Sequence, residues 1–333
     1  MRRRLLVIAG VVSLGVAAAG AATTHHLLSA VADKAPNALF VVSRGETLAE
    51  VASNLESRGL VRSAIALEWL ARIRGLAGGL RAGEYVLSPT QSPQEILEWI
   101  SRGRVVTYEV VVPEGFTLAQ IAKRLAAEDL ADPEAFLAVA RDPATAAEIG
   151  VEGNTLEGYL FPETYRIPRG LAPKEIARTL VKQFLEVWRE IEPRAQEQGF
   201  SMREVVTLAS IVEKETAAPD ERPLIASVFR NRLERGMRLE TDPTVIYGIE
   251  DFDGNLRRRD LENRDNPYNT YRIRGLPPGP IASPGAEALH AVVEPAESDY
   301  LYFVSRNDGT HVFSRTYREH ARAVDKYQRR RSR

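Results

Sequence analysis

One phrase occurs twice in this chain, and the repetition limits the fold more than any other feature. Val41-Val42-Ser43-Arg44-Gly45-Glu46-Thr47-Leu48-Ala49-Glu50-Val51-Ala52-Ser53-Asn54-Leu55 returns as Val111-Val112-Pro113-Glu114-Gly115-Phe116-Thr117-Leu118-Ala119-Gln120-Ile121-Ala122-Lys123-Arg124-Leu125. Each copy opens on a β-branched pair, turns at a glycine and continues with apolar residues at helical spacing. That pattern predicts strand, turn, helix. Thr47 with Glu50, and Thr117 with Gln120, have the spacing of a capping box. Two copies predict paired small modules, because a solenoid needs about three or more repeats to bury its faces.

Between the copies, 60–73 is helix-rich, Gly83-Glu84-Tyr85-Val86-Leu87 reads as a strand, and Ser92-Pro93-Gln94-Glu95 opens a helix through Ile100. Serine before proline combines a cap with the residue best tolerated in the first helical turn, and Gly103 stops the helix. A small βα unit that begins on a Gly-x-Thr-Leu turn resembles the LysM peptidoglycan-binding module. A packing unit without a ligand fits the same residues.

The other feature that bears on function is the helix Val205-Val206-Thr207-Leu208-Ala209-Ser210-Ile211-Val212-Glu213-Lys214-Glu215-Thr216. Leu208, Ile211, Val212 and Glu215 fall at i, i+3, i+4 and i+7, so Glu215 takes a place in an apolar stripe. Glu213 and Lys214 project from other faces and read as solvated charges. Burial penalises a carboxylate and raises its pKa, which suits a group that must donate a proton near neutrality. A structural ion pair between Glu215 and a nearby arginine is the competing reading.

The bulk numbers narrow the classes. A chain of 333 residues with 44% hydrophobic content has material for two or three cores. Its 44 Lys+Arg balance 45 Asp+Glu, which speaks against nucleic acid as the partner. Cysteine is absent, so no disulfide or thiolate metal site forms. His25, His26, His290, His311 and His320 lack the spacing of metal ligands on one helix. Arg2, Arg3 and Arg4 precede an uncharged run over 5–22, which predicts a single membrane anchor with the amino terminus in the cytoplasm. Ala19-Gly20-Ala21 also fits a signal-peptide cleavage site. Either way the chain from about residue 35 onward is exported.

Further along, 130–150 reads as helical. Leu156-Glu157-Gly158-Tyr159-Leu160-Phe161-Pro162-Glu163-Thr164-Tyr165 is dense in aromatics and reads as a strand and turn, or as part of a glycan groove. A long amphipathic helix over 173–190 packs through Ile176, Leu180, Phe184 and Val187. Another runs from Leu224 to Arg235 and ends at Gly236. Met237 to Gly248, Tyr268 to Tyr271 and Gly275 to Gly285 then read as stiff loops. Asn269, Thr270 and Tyr271 offer hydrogen bonds to sugar hydroxyls. Tyr300-Leu301-Tyr302-Phe303-Val304 and Thr310-His311-Val312-Phe313-Ser314 flank Asn307-Asp308-Gly309, a hairpin signal, and a basic helix runs to Arg333.

Several of these phrases together resemble the endolytic murein transglycosylases, or YceG-like family. They are Glu-Gly-Tyr-Leu-Phe-Pro-Glu-Thr-Tyr at 157–165, Ala-Ser-Ile-Val-Glu-Lys-Glu-Thr at 209–216 and Asp-Pro-Thr-Val-Ile-Tyr-Gly at 242–248. Tyr-Asn-Thr-Tyr at 268–271, Gly-Leu-Pro-Pro-Gly-Pro-Ile at 275–281 and Tyr-Leu-Tyr-Phe-Val at 300–304 complete them. Glu163 departs from the pattern, since relatives often carry Asp there. The resemblance implies an inner-membrane enzyme facing the cell wall that cuts nascent glycan strands internally, with no cofactor and with glycan-polymerising synthases as partners. Its catalytic glutamate falls on Glu215. Substrate contacts are expected at Glu157, Tyr159, Ser210, Asp242, Thr244, Tyr247, Asn269, Thr270 and Tyr271.

The expected architecture is therefore α+β. A cytoplasmic tip at 1–4, an anchor at 5–22 and a linker at 23–37 lead to a LysM-like module at 38–106. A second βα module with an aromatic connector occupies 107–170, and a helix-rich catalytic domain with a C-terminal β-hairpin occupies 171–333. A hydrolytic muramidase, with Glu157, Glu163 or Asp242 as second carboxylate, and a non-catalytic wall-binding scaffold are the alternatives.

Overall fold

In the computed structural model the first copy of the repeat folds as the capping chemistry requires. Residues 2–216 and 218–329 are described, without the side chains of residues 2–13. The chain divides into two compact units, Met1–Tyr108 with Pro168–Gly170, and Glu109–Ile167 with Leu171–Arg333.

The first unit holds α1 (Arg2–Leu27), β1 (Ala38–Val42), α2 (Leu48–Ser57), α3 (Ala64–Ile73), β2 (Gly83–Leu87) and α4 (Pro93–Arg102). Thr47 accepts the Glu50 amide while Glu50 accepts the Thr47 amide at 2.7 Å. Ser92 and Glu95 repeat this arrangement, and Gly103 closes α4 in the left-handed region with φ 65°. β1 and β2 pair antiparallel in the register Phe40↔Tyr85. Their inner residues Phe40, Val42, Tyr85 and Leu87 meet Val51, Leu55, Leu67, Ile96 and Ile100 in one buried cluster.

Two expectations are corrected here. The LysM-like βα modules do not form as self-contained units. β1 finds its partner in β2, beyond two intervening helices, and β3 (Tyr108–Val112) of the second copy pairs with the distant β4 (Glu163–Ile167). A lone strand leaves a row of unpaired backbone groups, so each copy must recruit a second strand from outside its own phrase.

The membrane anchor is the second correction. Residues 5–22 lie within α1, but among the described residues no helix is long and apolar enough to cross a membrane. Ala17-Ala18-Ala19-Gly20-Ala21-Ala22 consists of small side chains that gain little on leaving water, and Thr23, Thr24, His25 and His26 follow in the same helix. Among the described residues the transmembrane segment, and the inner-membrane location drawn from it, find no support; the side chains of its first half, 5–13, lie outside those described.

The second unit is larger. It comprises β3 (Tyr108–Val112, all but its first residue), α5 (Leu118–Ala127), α6 (Pro133–Ala140), α7 (Pro143–Ile149), β4 (Glu163–Ile167), α8 (Pro173–Glu197) and α9 (Met202–Glu215). A 3-10 turn, Pro219–Glu221, leads into α10 (Arg222–Glu234). Then follow α11 (Asp242–Tyr247), α12 (Arg258–Glu262), α13 (Ala286–Val293), the antiparallel hairpin β5 (Tyr302–Ser305) and β6 (His311–Ser314), and α14 (Tyr317–Val324). Asp325–Arg329 adds a π-helical turn, and the end of the expected basic helix at 330–333 lies outside the described residues.

α9 is the centre of this unit. Every residue from Val205 to Val212 is buried, so the helix is covered on all sides rather than along one stripe. α8, α10, α11 and α13 surround it. α8 runs past its expected end through Pro193 to Glu197, burying Trp188 and Ile191. The loop expected over 237–248 contains a short helix, α11, because Pro243 stands in the first turn, where its missing N–H is no loss.

Candidate active site

Glu215 is the last residue of α9, and Thr216 leaves the helix in extended backbone at φ −139° and ψ 139°. The residue is half-buried. Burial pushes its carboxyl up to about 7, and the neighbouring Asp242 carboxylate adds to this. A hydrogen bond from the Thr241 hydroxyl and the charge of Arg232 hold it down. The helix C-terminus also disfavours a negative charge in principle. A carboxyl near 7 is half protonated at neutral pH, so it can give a proton and take one back.

A cavity of about 290 Å³ opens beside it, lined by Glu114, Gly115, Glu213, Lys214, Glu215, Thr216 and Arg222. Glu114 and Gly115 come from the turn after β3, and Arg222 begins α10. The Arg222 guanidinium is buried and ion-paired with Glu114 at 3.1 Å, Glu213 at 3.2 Å, and Glu287. Burial and the neighbouring Glu213 push the Glu114 carboxyl up.

Glu213 is not a solvated charge. Its side chain is 6% exposed, and its second oxygen accepts the Gly285 amide at 3.1 Å. Lys214 is exposed as expected, yet it donates to the Gly115 carbonyl at 3.2 Å. Helical facing therefore does not separate Glu213 from Glu215, since both are shielded. Their partners do. Glu213 commits both oxygens to Arg222 and Gly285, whereas among the described residues only Thr241 hydrogen-bonds to Glu215.

Of the other sequence-derived candidates, four gather near Glu215. Thr244 and Thr270 are fully buried and share a hydroxyl contact at 2.8 Å; Thr270 Oγ1 accepts the Thr241 amide at 3.0 Å. Exposed Asp242 accepts the Tyr271 hydroxyl at 2.7 Å, and burial followed by Asp242 pushes that phenol up. These residues hold the loop that carries Thr241 to Glu215.

Glu157 and Tyr247 form a separate pair. Glu157 accepts the Leu118 amide at 3.0 Å and the Tyr247 hydroxyl at 2.9 Å, and burial pushes it up to about 7. Neither residue lines the cavity.

Three candidates have their polar atoms engaged inside the fold. Tyr159 is buried edge-on against Phe184, with its hydroxyl on the Glu152 carbonyl. Ser210 bridges the Thr207 carbonyl at 2.7 Å and the Ile281 amide at 3.0 Å. Asn269 donates to the Asn263 carbonyl at 2.6 Å and to those of Asp260 and Leu261 at 3.2 Å. The muramidase candidates Glu163 and Asp242 are exposed and do not line the cavity either.

Thr241, Glu114 and Arg222 were not singled out from the sequence. Glu114 carried a usable signal, because the first copy has Arg44 at the same turn position, a reversal of charge. Arg222 had none, since two of its three partners, Glu114 and Glu287, lie far along the chain. A second hollow, of about 640 Å³, lies on the first copy's turn. Its acids are already used locally: Glu50 caps α2, and Glu46 accepts the Ser43 amide at 2.7 Å and the Asn54 amide at 2.6 Å. Among the described residues no cluster of His, Asp and Glu could hold a metal ion.

The model of the YceG-like family matches residues 40–326. The endolytic murein transglycosylase of Bacillus subtilis (strain 168) is 32% identical over 302 residues, covering 86% of this chain and 83% of that protein. The endolytic murein transglycosylase of Streptococcus pneumoniae serotype 2 is 29% identical over 314 residues, 85% of this chain and 57% of that longer protein. A crystal structure of a yceG-like protein from Listeria monocytogenes superposes with a TM-score of 0.59 at 32% identity, covering 86% of this chain and 98% of that one.

Proposed function

The chain belongs to the YceG-like family, and we propose that it is an endolytic lytic transglycosylase of peptidoglycan, with Glu215 as its single acid–base residue. The observation that carries this reading is a protonatable carboxyl at a cavity where, among the described residues, every other lining carboxylate is ion-paired to Arg222. Glu114 and Glu213 share Arg222, and Glu157, Glu163 and Asp242 do not line the space.

Hydrolytic glycosidases commonly employ two carboxyl groups, one for the leaving oxygen and one for water or the anomeric carbon. With one, the substrate must bring its own nucleophile. Glu215 donates its proton to the oxygen between MurNAc and GlcNAc, and the bond from MurNAc C1 to that oxygen breaks. The C6 hydroxyl of the same MurNAc then attacks C1 and returns its proton to Glu215. One C–O bond is lost, one is made, and no water enters. The product is a 1,6-anhydroMurNAc end, and intramolecular attack supplies much of the rate. Cuts within a nascent strand would set its length.

Digestion of uncross-linked glycan by the full chain, followed by mass spectrometry of the ends, tests this. Anhydro ends support it. Ends heavier by one water would mean a muramidase, and no cleavage would mean a scaffold.

A further inference from the structure

The segment that carries Thr241 to Glu215 is held by a residue that does not touch the cavity. Arg232, in the last turn of α10, is 7% exposed. Its Nε donates to the Leu301 carbonyl at 2.6 Å, and its Nη1 donates to the Leu239 and Arg238 carbonyls at 2.8 Å and 3.3 Å. The guanidinium lies 5.2 Å from the centroid of Tyr302 and 3.8 Å from the Glu240 carboxylate. One side chain thus ties the end of α10, the 238–239 backbone and the approach to β5.

The geometry it enforces is unusual. Glu240 has φ 49°, in the left-handed region that a side chain disfavours. Such a conformation persists only where its surroundings over-determine it. The next residue, Thr241, donates to Glu215.

We propose that Arg232 is a positioning residue for the reaction: its clamp on carbonyls 238, 239 and 301 holds the Glu240 turn and aims the Thr241 hydroxyl at Glu215. Its buried charge, weakly screened, also steadies the carboxylate that Glu215 becomes between proton donation and proton return. The inference rests on the functional reading above.

Other titratable groups stand around the same carboxyl: Asp242 acts on it directly, Tyr271 feels its charge, and Glu114, Glu213, Lys214 and Arg222 line the same cavity. Around Arg232 itself stand Glu240, Tyr271, Tyr302 and His320, whose imidazole stacks on Tyr302 at 5.3 Å. A shift in the pH–rate curve must therefore be assigned to Glu215 by difference.

The test uses the full chain, R232M and R232K, each with and without E215Q. Cleavage of uncross-linked glycan gives kcat, KM and the pH profile. The pH dependence of unfolding, subtracted between each chain and its E215Q partner, gives the pKa of Glu215 without reference to catalysis. R232M is expected to raise that pKa by about half a unit or more. It is expected to lower kcat at least about tenfold with KM within about threefold. Lysine keeps the charge but not the fork, so R232K is expected to raise the pKa by less than R232M does and to leave kcat about threefold or more below the parent.

An unmoved pKa and kcat in R232M overturns the proposal, and so does R232K matching R232M. Should R232M not fold, R232K decides, and equality with the parent overturns it. A parent that does not cleave sinks the functional reading alone, while the subtracted pKa still judges Arg232.

Discussion

The hydroxyl of Thr241 donates to the carboxyl of Glu215, joining the loop before α11 to the last residue of the central helix. Asp242, the next residue, acts on the same carboxyl in the opposite sense. Two adjacent residues thus pull in opposite directions on a carboxyl whose proton is retained mainly by burial.

Replacing Glu215 by Gln keeps the shape and removes the transferable proton. Cleavage is expected to fall by about 10² to 10⁴-fold, the range for loss of a general acid. The melting temperature should change little, because the residue lies at the end of α9 and not among its packed turns. Initial rates of new-end formation and a thermal melt check both.

Thr241→Val removes a hydrogen bond that favours the charged carboxyl, so the pKa of Glu215 rises. The alkaline limb of kcat/KM, where a general acid loses its proton, should move upward from about 7. A limb that stays in place would show that the hydroxyl does not control this proton.

Asp242→Asn has the opposite sign. The Asp242 carboxylate raises the pKa of Glu215, so neutralising it lowers that pKa and moves the alkaline limb down. Paired pH–rate profiles of the two variants should bracket the parent.

Stability should fall as pH rises. Glu157 keeps its proton up to about 7 when folded but releases it near the usual 4.5 when unfolded. The folded state therefore binds more protons between these values. Its contribution is full below about 4.5 and lost through about 7. Burial this complete corresponds to on the order of 3 kcal/mol at most. Glu157→Gln can still accept the Leu118 amide and meet the Tyr247 hydroxyl, so it should flatten the decline. Urea unfolding at pH 5 and pH 8 measures the difference.

Gly158→Ala should destabilise the second unit by about 3 kcal/mol, from overpacking together with backbone strain. Its φ is 85°, and an added Cβ would lie 2.5 Å from Pro280 Cβ and 2.9 Å from Val206 Cγ1. A chemical melt that matches the parent would refute that tight approach.

Much of the local structure was legible in the chain. The capping residues Thr47, Ser92 and Thr117, the helix stop at Gly236 and the hairpin around Asn307-Asp308-Gly309 each act over a few residues, so their spacing is their physics. Family-like phrases pointed to Glu215, the residue proposed as the acid–base group. Two local patterns misled. An uncharged run looked long enough for a membrane span although its last six residues, 17–22, are Ala and Gly, and a repeated βα phrase looked self-sufficient although its strands pair elsewhere.

By itself the sequence determined where most of the capped helices begin, because caps and turns are contacts between near neighbours, though it missed the end of α8 and the whole of α11. Only the tertiary structure decided which acid sits beside which partner. Glu213 and Glu215 are two residues apart, yet one meets Arg222 and Gly285 and the other meets Thr241 and Asp242. Burial and charge act through space, and most of the groups that set them come from positions tens of residues away.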